Sequence, residues 1–199
     1  MDRLEVDARD IDAGRAYQLL TALVVPRPIA WITTQSAAGI DNIAPFSFSG
    51  VVASDPPLVM FSTVGWKDSA VNARERGEFV FNLAPASRVT QINETAIEYP
   101  PHVDEFTAVG LTKASSVMVS PPRIAESPAA LECRVTDVLE RGNGVIILGQ
   151  VLHFSIAESC LVDGDPDFDA LAPVGRLSGP LWALPGSVHH EPRIKYQDP

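Results

Sequence analysis

The sequence predicts a mainly β protein, a small antiparallel barrel with helices at its periphery, and three observations carry that prediction. Strand-like runs rich in β-branched and aromatic residues outnumber helical patterns and are joined largely by hairpin signals. The strongest is Arg141-Gly-Asn-Gly144, between the runs 129–140 and 145–156. Seventeen prolines in 199 residues favour strand edges, turns and loops over long helices, because each removes a backbone donor and fixes φ. Regular βαβ alternation is absent, which disfavours a doubly wound parallel sheet. A chain of this length can bury one good core, so residues 1–199 read as a single domain.

Taken in order, a charged start is followed by Ala13 to Leu20, a short helical pattern expected to turn Tyr17 and Leu20 inward. The run Ile29 to Thr34, the turn Ser36 to Gly39 and resumed extended structure from Ile40 make a first hairpin. Neither nitrogen of Pro56-Pro57 can donate, so the next strand is expected to begin at Leu58. Asp68 or Ser69 is placed as the N-cap of a helix over Ala70 to Arg76, with Gly77 as its left-handed terminator. A strand over Glu78 to Leu83 follows, then a helix from Ser87 with Val89, Ile92 and Ala96 on one face. The Pro- and Gly-rich tail from Asp163 is expected to wrap irregularly over the surface.

Composition excludes some functions. With 46% hydrophobic and 20% charged residues the chain is ordinary for a globular protein. Fifteen basic against 25 acidic residues give a net charge of -10, which repels a nucleic-acid backbone. A bound phosphate then needs a local basic site, for which Arg27 and Lys67 are the candidates. No apolar run reaches membrane-spanning length and the acidic start is unlike a signal peptide. Cys133 and Cys160 show no metal-site spacing. The expectation is a soluble cytoplasmic protein with reduced thiols, no metal, and neither nucleic acid nor membrane as partner.

Lys67-Asp68-Ser69 is the most informative short motif. An ammonium, a hydroxyl and the free amides of a following helix together favour a phosphate, although the same residues also suit a plain capped helix start. The Walker arrangement is absent, since Trp66 and Phe61 stand where its glycines belong. Arg27, held extended between two prolines, suits a phosphate or a carbonyl edge, or else is an ordinary surface arginine. Pro45, Ser47 and Ser49 alternate with Phe46 and Phe48, so one strand face of small polar residues could lie against a flat aromatic ligand. Thr63 ends the next run with a hydroxyl. His189 and His190 read as solvated tail residues and His153 as a core or interface residue. His102 sits on a loop able to close over a ligand or to serve structure alone.

In combination these stretches resemble a known family. Pro26-Arg-Pro-Ile-Ala-Trp-Ile-Thr-Thr, Asn42-Ile-Ala-Pro-Phe-Ser-Phe, Asp55-Pro-Pro, Lys67-Asp-Ser-Ala-Val-Asn and Glu78-Phe-Val-Phe-Asn, in this order, look like the flavin reductase-like family of FMN-binding split-barrel proteins. Asp104-Glu-Phe-Thr-Ala-Val-Gly-Leu, Ile124-Ala-Glu-Ser-Pro-Ala-Ala-Leu-Glu-Cys and Pro173-Val-Gly-Arg-Leu-Ser-Gly extend the likeness over nearly the whole chain. It implies a six-stranded antiparallel split barrel that dimerises, with FMN held non-covalently near the subunit interface. Lys67, Asp68, Ser69 and Asn72 match the phosphate segment. Arg27, Pro28, Ile29, Ala30 and Trp31, with Asn42, Ser47, Phe48 and Ser49, match the two strands that face the ribityl chain and ring, and Thr63 is taken as a further cofactor-binding residue. The chain departs from the family in having Ser69 where threonine is commoner, and Pro180-Leu-Trp182 where a tyrosine commonly follows Arg-Leu-x-Gly.

Three functions follow from the resemblance. One is an NAD(P)H-dependent flavin oxidoreductase, in which hydride passes from NADH or NADPH to FMN with no protein acid or base required. The others are an FMN electron carrier and a flavin-binding module without turnover. A homodimer, a nicotinamide cosubstrate and a downstream monooxygenase or other redox protein are the implied partners. Tyr99 to Phe106 and Leu171 to Pro185 are candidates to wall the partner's flavin, or else to cover their own barrel ends.

Overall fold

The computed structural model describes residues 1–193. Helix α1 (Ala13–Leu23) precedes strands β1 (Arg27–Pro28), β2 (Ala30–Gln35), β3 (Asp41–Phe46), β4 (Ser49–Ser54) and β5 (Pro57–Val64), and α2 (Asp68–Arg76) leads into β6 (Glu78–Leu83). Helices α3 (Val89–Glu94) and α4 (Glu105–Val109) and the short pair β7 (Lys113–Ala114) and β8 (Arg123–Ile124) follow. The long hairpin β9 (Ala129–Arg141) and β10 (Gly144–Ile156) comes next. The tail forms β11 (Leu161–Val162), β12 (Asp165–Pro166), α5 (Phe168–Leu171), β13 (Gly175–Arg176) and β14 (Trp182–Ala183).

The main sheet is antiparallel, in the order β3-β2-β6-β9-β10-β5-β4. Its two edge strands, β3 and β4, are successive parts of one chain segment joined at Ser47 and Phe48, so the sheet returns on itself. Ser62 N donates to Phe48 O at 2.7 Å across that corner. Counted as one bent strand, β3 and β4 make a six-stranded barrel, whose closure removes the open edges a flat sheet would present.

Strand β2 is buried on both faces, and its alternation sorts side chains into two cores. Ala30 and Ile32 point into the barrel among Phe61, Phe79, Cys133 and Ile147, with the Phe61 and Phe79 rings edge to face at 5.2 Å. Ile29 and Trp31 point outward into a second cluster with Ile43, Ile92, Phe106, Ile124 and Val174, which seats the helices and the tail. Asn82, fully buried, bridges the layers: its Nδ2 donates to Trp31 O at 2.9 Å and its Oδ1 accepts from Ile124 N at 3.0 Å. No helix among the described residues is long and apolar enough to cross a membrane.

Several sequence expectations change. Tyr17 and Leu20 are exposed, because α1 stands off the barrel and buries only Thr21. The strand after the proline pair starts at Pro57, one residue early, since the first residue of a strand can forgo its donor. The run from Asn42 to Ser49 is broken after Phe46, so Pro45, Ser47 and Ser49 do not share one strand face. Helix α3 ends at Glu94, and Thr95, not Ala96, is the buried residue beyond Ile92. The tail does not simply wrap outside: β13 pairs with β1, and Val174 and Trp182 pack in the outer core. Phe106 is buried there too, so the Tyr99–Phe106 and Leu171–Pro185 segments each pack in part on their own barrel, while Pro101, His102, Leu181 and Leu184 stay exposed.

Gly149 on β10 faces the inner core, where a Cβ would lie 2.4 Å from Cε1 of Phe79 and 3.1 Å from Cβ of Cys133. Phe79 is fully buried and cannot swing away. Gly149→Ala should therefore destabilise the fold by about 1–3 kcal/mol, read as a lower denaturation midpoint. An unchanged midpoint would mean that the barrel relaxes freely around β10.

Candidate functional site

Two buried polar pairs fix α2 against the barrel. Asn42 Nδ2 on β3 donates to Ser69 Oγ at 3.1 Å, and Asn72 Nδ2 donates to Thr34 Oγ1 on β2 at 3.2 Å. All four residues are buried, so each hydrogen bond forms where an unpaired group would be costly. The sequence placed the cap of α2 on Asp68 or Ser69, but the N-cap residue is Lys67, which has no acceptor and makes no capping bond. Ser69 lies inside the first turn, past the cap position, and its Oγ accepts from Asn42. Asp12, Asp104 and Asp167 do cap α1, α4 and α5. The amides of Asp68 and Ser69, with the positive end of the helix dipole, are thus left to an anion, while Ala70 N donates to Lys67 O at 2.9 Å.

This helix end opens into a cavity of about 420 Å³ lined by Asn42, Ala44, Pro45, Phe46 and Trp66 to Ser69 on one side, and by Thr95 to Tyr99, Pro101 and Glu105 on the other. The walls are braced from behind. Trp31 Nε1 donates to Thr95 Oγ1 at 2.9 Å, and the Arg74 guanidinium lies 4.1 Å from the Trp66 ring centroid. Lys67 pairs with Glu98 across the rim, both side chains reaching solvent. Such an exposed pair contributes little and is readily exchanged for a stronger anion.

Glu105, at the start of α4, lies at the inner wall and is 7% exposed. Its Oε2 accepts from Ile43 N at 2.6 Å. Burial pushes its carboxyl up to about 7. The Ile43 amide partly opposes this, and the neighbouring charges of Asp68 and Asp104 add to it. On the outer side of α4, Lys113 bridges Asp41 and Asp104 at 2.7 and 2.5 Å.

The sequence-predicted residues divide into three groups. Asn42, Lys67, Asp68 and Ser69 meet at the main cavity, and Asn72 stands behind Ser69 at a neighbouring cleft. Ile29 and Ser47 line a second cavity that adjoins the first at Pro45 and Ala96. The remainder serve as framework. Ala30 and Trp31 are fully buried, and Thr63 donates to Gly65 O at 2.6 Å. Pro28 O accepts from Ser49 Oγ at 3.2 Å, and Phe48 packs near Tyr17 and Arg27. The Arg27 guanidinium is buried, donating to Thr21 O and Val24 O at 2.7 Å and to Leu177 O at 2.8 Å, so it ties α1 to the tail. His102 is exposed and lines neither cavity, and no metal-binding cluster of His, Cys, Asp and Glu occurs among the described residues. Sequence reasoning did not single out Trp66 or Thr95, and held Tyr99 and Glu105 only as members of the Tyr99–Phe106 segment and, for Glu105, of the Asp104-Glu-Phe resemblance.

A closed split barrel with an anion-ready helix end over a deep cavity defines a cofactor-binding class, and comparison with known proteins specifies it. Residues 22–171 match the family described as the flavin reductase like domain, and the chain belongs to that family. An uncharacterized protein of Halalkalibacterium halodurans is 41% identical over 175 residues, covering 82% of this chain and 83% of the relative. The crystal structure of nitrilotriacetate monooxygenase component B from Bacillus cereus superposes with a TM-score of 0.92 at 31% identity, covering 96% of this chain and all of that one (100%). A flavin reductase with a split barrel domain from Shewanella frigidimarina shares the fold, with a TM-score of 0.84 at 17% identity over 94% of this chain and 96% of that one.

The raised Glu105 carboxyl makes stability depend on pH. Folding holds a proton that the unfolded chain releases near 4.5, so the stabilisation is complete below that pH and is lost as pH rises through about 7. Glu105→Gln keeps the acceptor for Ile43 N without the titration. Its unfolding free energy relative to the parent should improve by on the order of 3 kcal/mol between about pH 4.5 and pH 8. Denaturant titrations across that range measure it, and a difference flat with pH would show Glu105 ionised throughout.

Proposed function

We propose that this chain binds one FMN per subunit in the main cavity and acts as an NAD(P)H-dependent flavin oxidoreductase. The observation that carries the reading is the uncapped amino end of α2, presented with Lys67 and Ser69 at the edge of a cavity of about 420 Å³. That size falls within the range of small-molecule and cofactor sites. The phosphate would sit against the α2 amides, the Ser69 hydroxyl and the Lys67 ammonium, with the Asn42 amide alongside. The apolar walls at Ala44, Pro45, Phe46 and Ile97 would shield the remainder from water.

The chemistry supplied by the bound flavin is acceptance of a hydride, two electrons with one proton, from a reduced nicotinamide, and their later delivery to an acceptor. The chain's own part is to bind, orient and exclude water. No side chain at the cavity is needed as an acid or base. A monooxygenase component is the acceptor class favoured here, because the similar Bacillus cereus protein is described as component B of a monooxygenase. A cytoplasmic setting belongs to the same reading, supported by Cys133 and Cys160 as buried, unpaired thiols. A homodimer is supported by exposed apolar residues on α1 and β4, namely Leu20, Leu23, Val24, Val51 and Val52, with Tyr17 reaching the Phe48 ring at 6.3 Å.

Calorimetry should give one FMN per subunit, and Lys67→Ala should weaken binding by about 1.5–3 kcal/mol through loss of a charge-assisted contact. An unchanged dissociation constant would remove Lys67 from the site. Anaerobic stopped-flow mixing of the FMN-loaded protein with NADH and with NADPH should bleach the oxidised flavin with at least one of them. No bleaching with either leaves an electron carrier or a flavin-binding module. Sedimentation at micromolar concentration should show two chains, and a strictly monomeric FMN-loaded protein would refute the dimer.

A further inference from the structure

Beside the main cavity lies a second cleft, which shares Ile29 and Ser47 with the flavin-facing residues of the resemblance but extends well beyond them. Its inner part, about 180 Å³, is lined by Ile29, Pro45, Ser47, Ala96, Arg176 and Trp182 among others, and opens toward the flavin cavity at Pro45 and Ala96. Its outer part, about 400 Å³, is reached past the same Arg176 and Trp182. These two residues face each other across the β13–β14 pair, with the guanidinium stacked on the indole at 4.6 Å from the ring centroid. Stacking occupies one face of the guanidinium and fixes its plane, while the N–H fork at its edge stays free to meet a pair of anionic oxygens.

Arg176 differs from Arg27 and Arg123, and Arg74, the other arginine stacked on an indole without a carboxylate partner, is exposed where Arg176 is half-buried. Arg27 is saturated by three backbone carbonyls, and Arg123 lies against Ser115 O, Ser155 Oγ and Glu132. Among the described residues no carboxylate pairs with Arg176, although Glu94 lines the same outer cleft. In a chain of net charge -10, a half-buried, pre-oriented and unpaired guanidinium makes a local seat for an anion. Its place at the junction of the inner and outer parts decides which anion. A small carboxylate would leave most of the cleft open. A dinucleotide can put its ring end through the inner part toward the flavin, its phosphates on the fork and its far nucleoside in the outer part.

We propose that Arg176, braced by Trp182, holds the pyrophosphate of the nicotinamide dinucleotide that reduces the flavin, and is a positioning residue for that second substrate. The assignment rests on the flavin reading above but concerns a separate anion seat. ADP-ribose carries the same pyrophosphate and no nicotinamide, so its binding is read by calorimetry without turnover. FMN-saturated parent protein should bind ADP-ribose, and Arg176→Gln should lose roughly tenfold or more of that affinity while FMN affinity stays within about twofold. Should that variant fold poorly, Arg176→Lys keeps the charge but not the planar fork, and should lose at least about threefold on the same terms.

Equal ADP-ribose affinity in parent and variant overturns the proposal, as does absence of ADP-ribose binding to the parent. A loss of FMN affinity as large as the loss of ADP-ribose affinity also overturns it, by placing Arg176 in the flavin's own site. If the parent binds no FMN, the flavin reading fails on its own, and titration of the flavin-free protein with ADP-ribose still tests the seat at Arg176.

Discussion

The site depends on the docking of α2 across β2 and β3 through the pairs Asn42–Ser69 and Thr34–Asn72. A nine-residue helix has little stability of its own in water, so its position must come from tertiary contacts. Ala70 and Ala73 supply the close apolar approach, both fully buried against the barrel, and the two amide–hydroxyl pairs set the rotation and the register. The Asn42–Ser69 bond holds the first turn of α2 against β3, and with Lys67 at the cap position no side chain closes the helix's amino end.

The opposite wall of the cavity has a similar logic at longer range. Trp31 is fully buried on β2, yet its indole N–H emerges from the outer core to hold Thr95, and Thr95 Oγ1 in turn donates to Ile92 O at 2.9 Å. The loop that carries Ile97, Glu98 and Tyr99 thus starts from a pinned residue. Asn82 ties the neighbouring β6 both to Trp31 O and to Ile124 N, so β2, β6 and the entry to the long hairpin move as a unit. Glu132, with no exposed surface, fixes the crossing loop by accepting from Val117 N and Met118 N. Buried polar groups, each satisfied, hold both sides of the cavity to one rigid barrel.

How much of this was legible beforehand follows from the range of each interaction. Helix α2, the strand Glu78–Leu83 and the long hairpin were readable because local signals specify them: Gly77 in the left-handed region at φ 73°, and the turn Arg141–Gly144 between alternating runs. The grouping of Lys67, Asp68 and Ser69 at one helix end was readable for the same reason, the three being consecutive. What was missed is non-local. The inward placement given to Tyr17 and Leu20 assumed that a helix's apolar face meets its own core, whereas α1 is anchored end-on by Arg27 and keeps that face exposed. Arg27 read as either a ligand arginine or an ordinary surface one, because nothing local reveals that carbonyls of Thr21, Val24 and Leu177 converge on it. The burial of Glu105 was not readable either, since it depends on β3, which lies more than sixty residues earlier in the chain (|i−j| = 62 to Ile43).

The charge pattern at the cavity bears on how an acidic protein can hold an anionic cofactor at all. Among the residues lining it, Lys67 is the sole cation, while Asp68, Glu98 and Glu105 are acids. Net local charge would then oppose a phosphate, and a site built on summed charge would fail. Oriented donors act differently. Helix amides, a hydroxyl and a side-chain amide present fixed dipoles at contact distance, where they outweigh exposed charges that water screens. Burial of Glu105 works in the same direction, because a carboxyl raised to about 7 carries less than a full negative charge at neutral pH. Glu98 can be displaced from Lys67 by a stronger anion, which frees the one cation at the rim. On the proposed flavin reading, selection for a phosphate at this site rests on geometry and desolvation, and its salt dependence should be shallow compared with that of a site assembled from lysines and arginines.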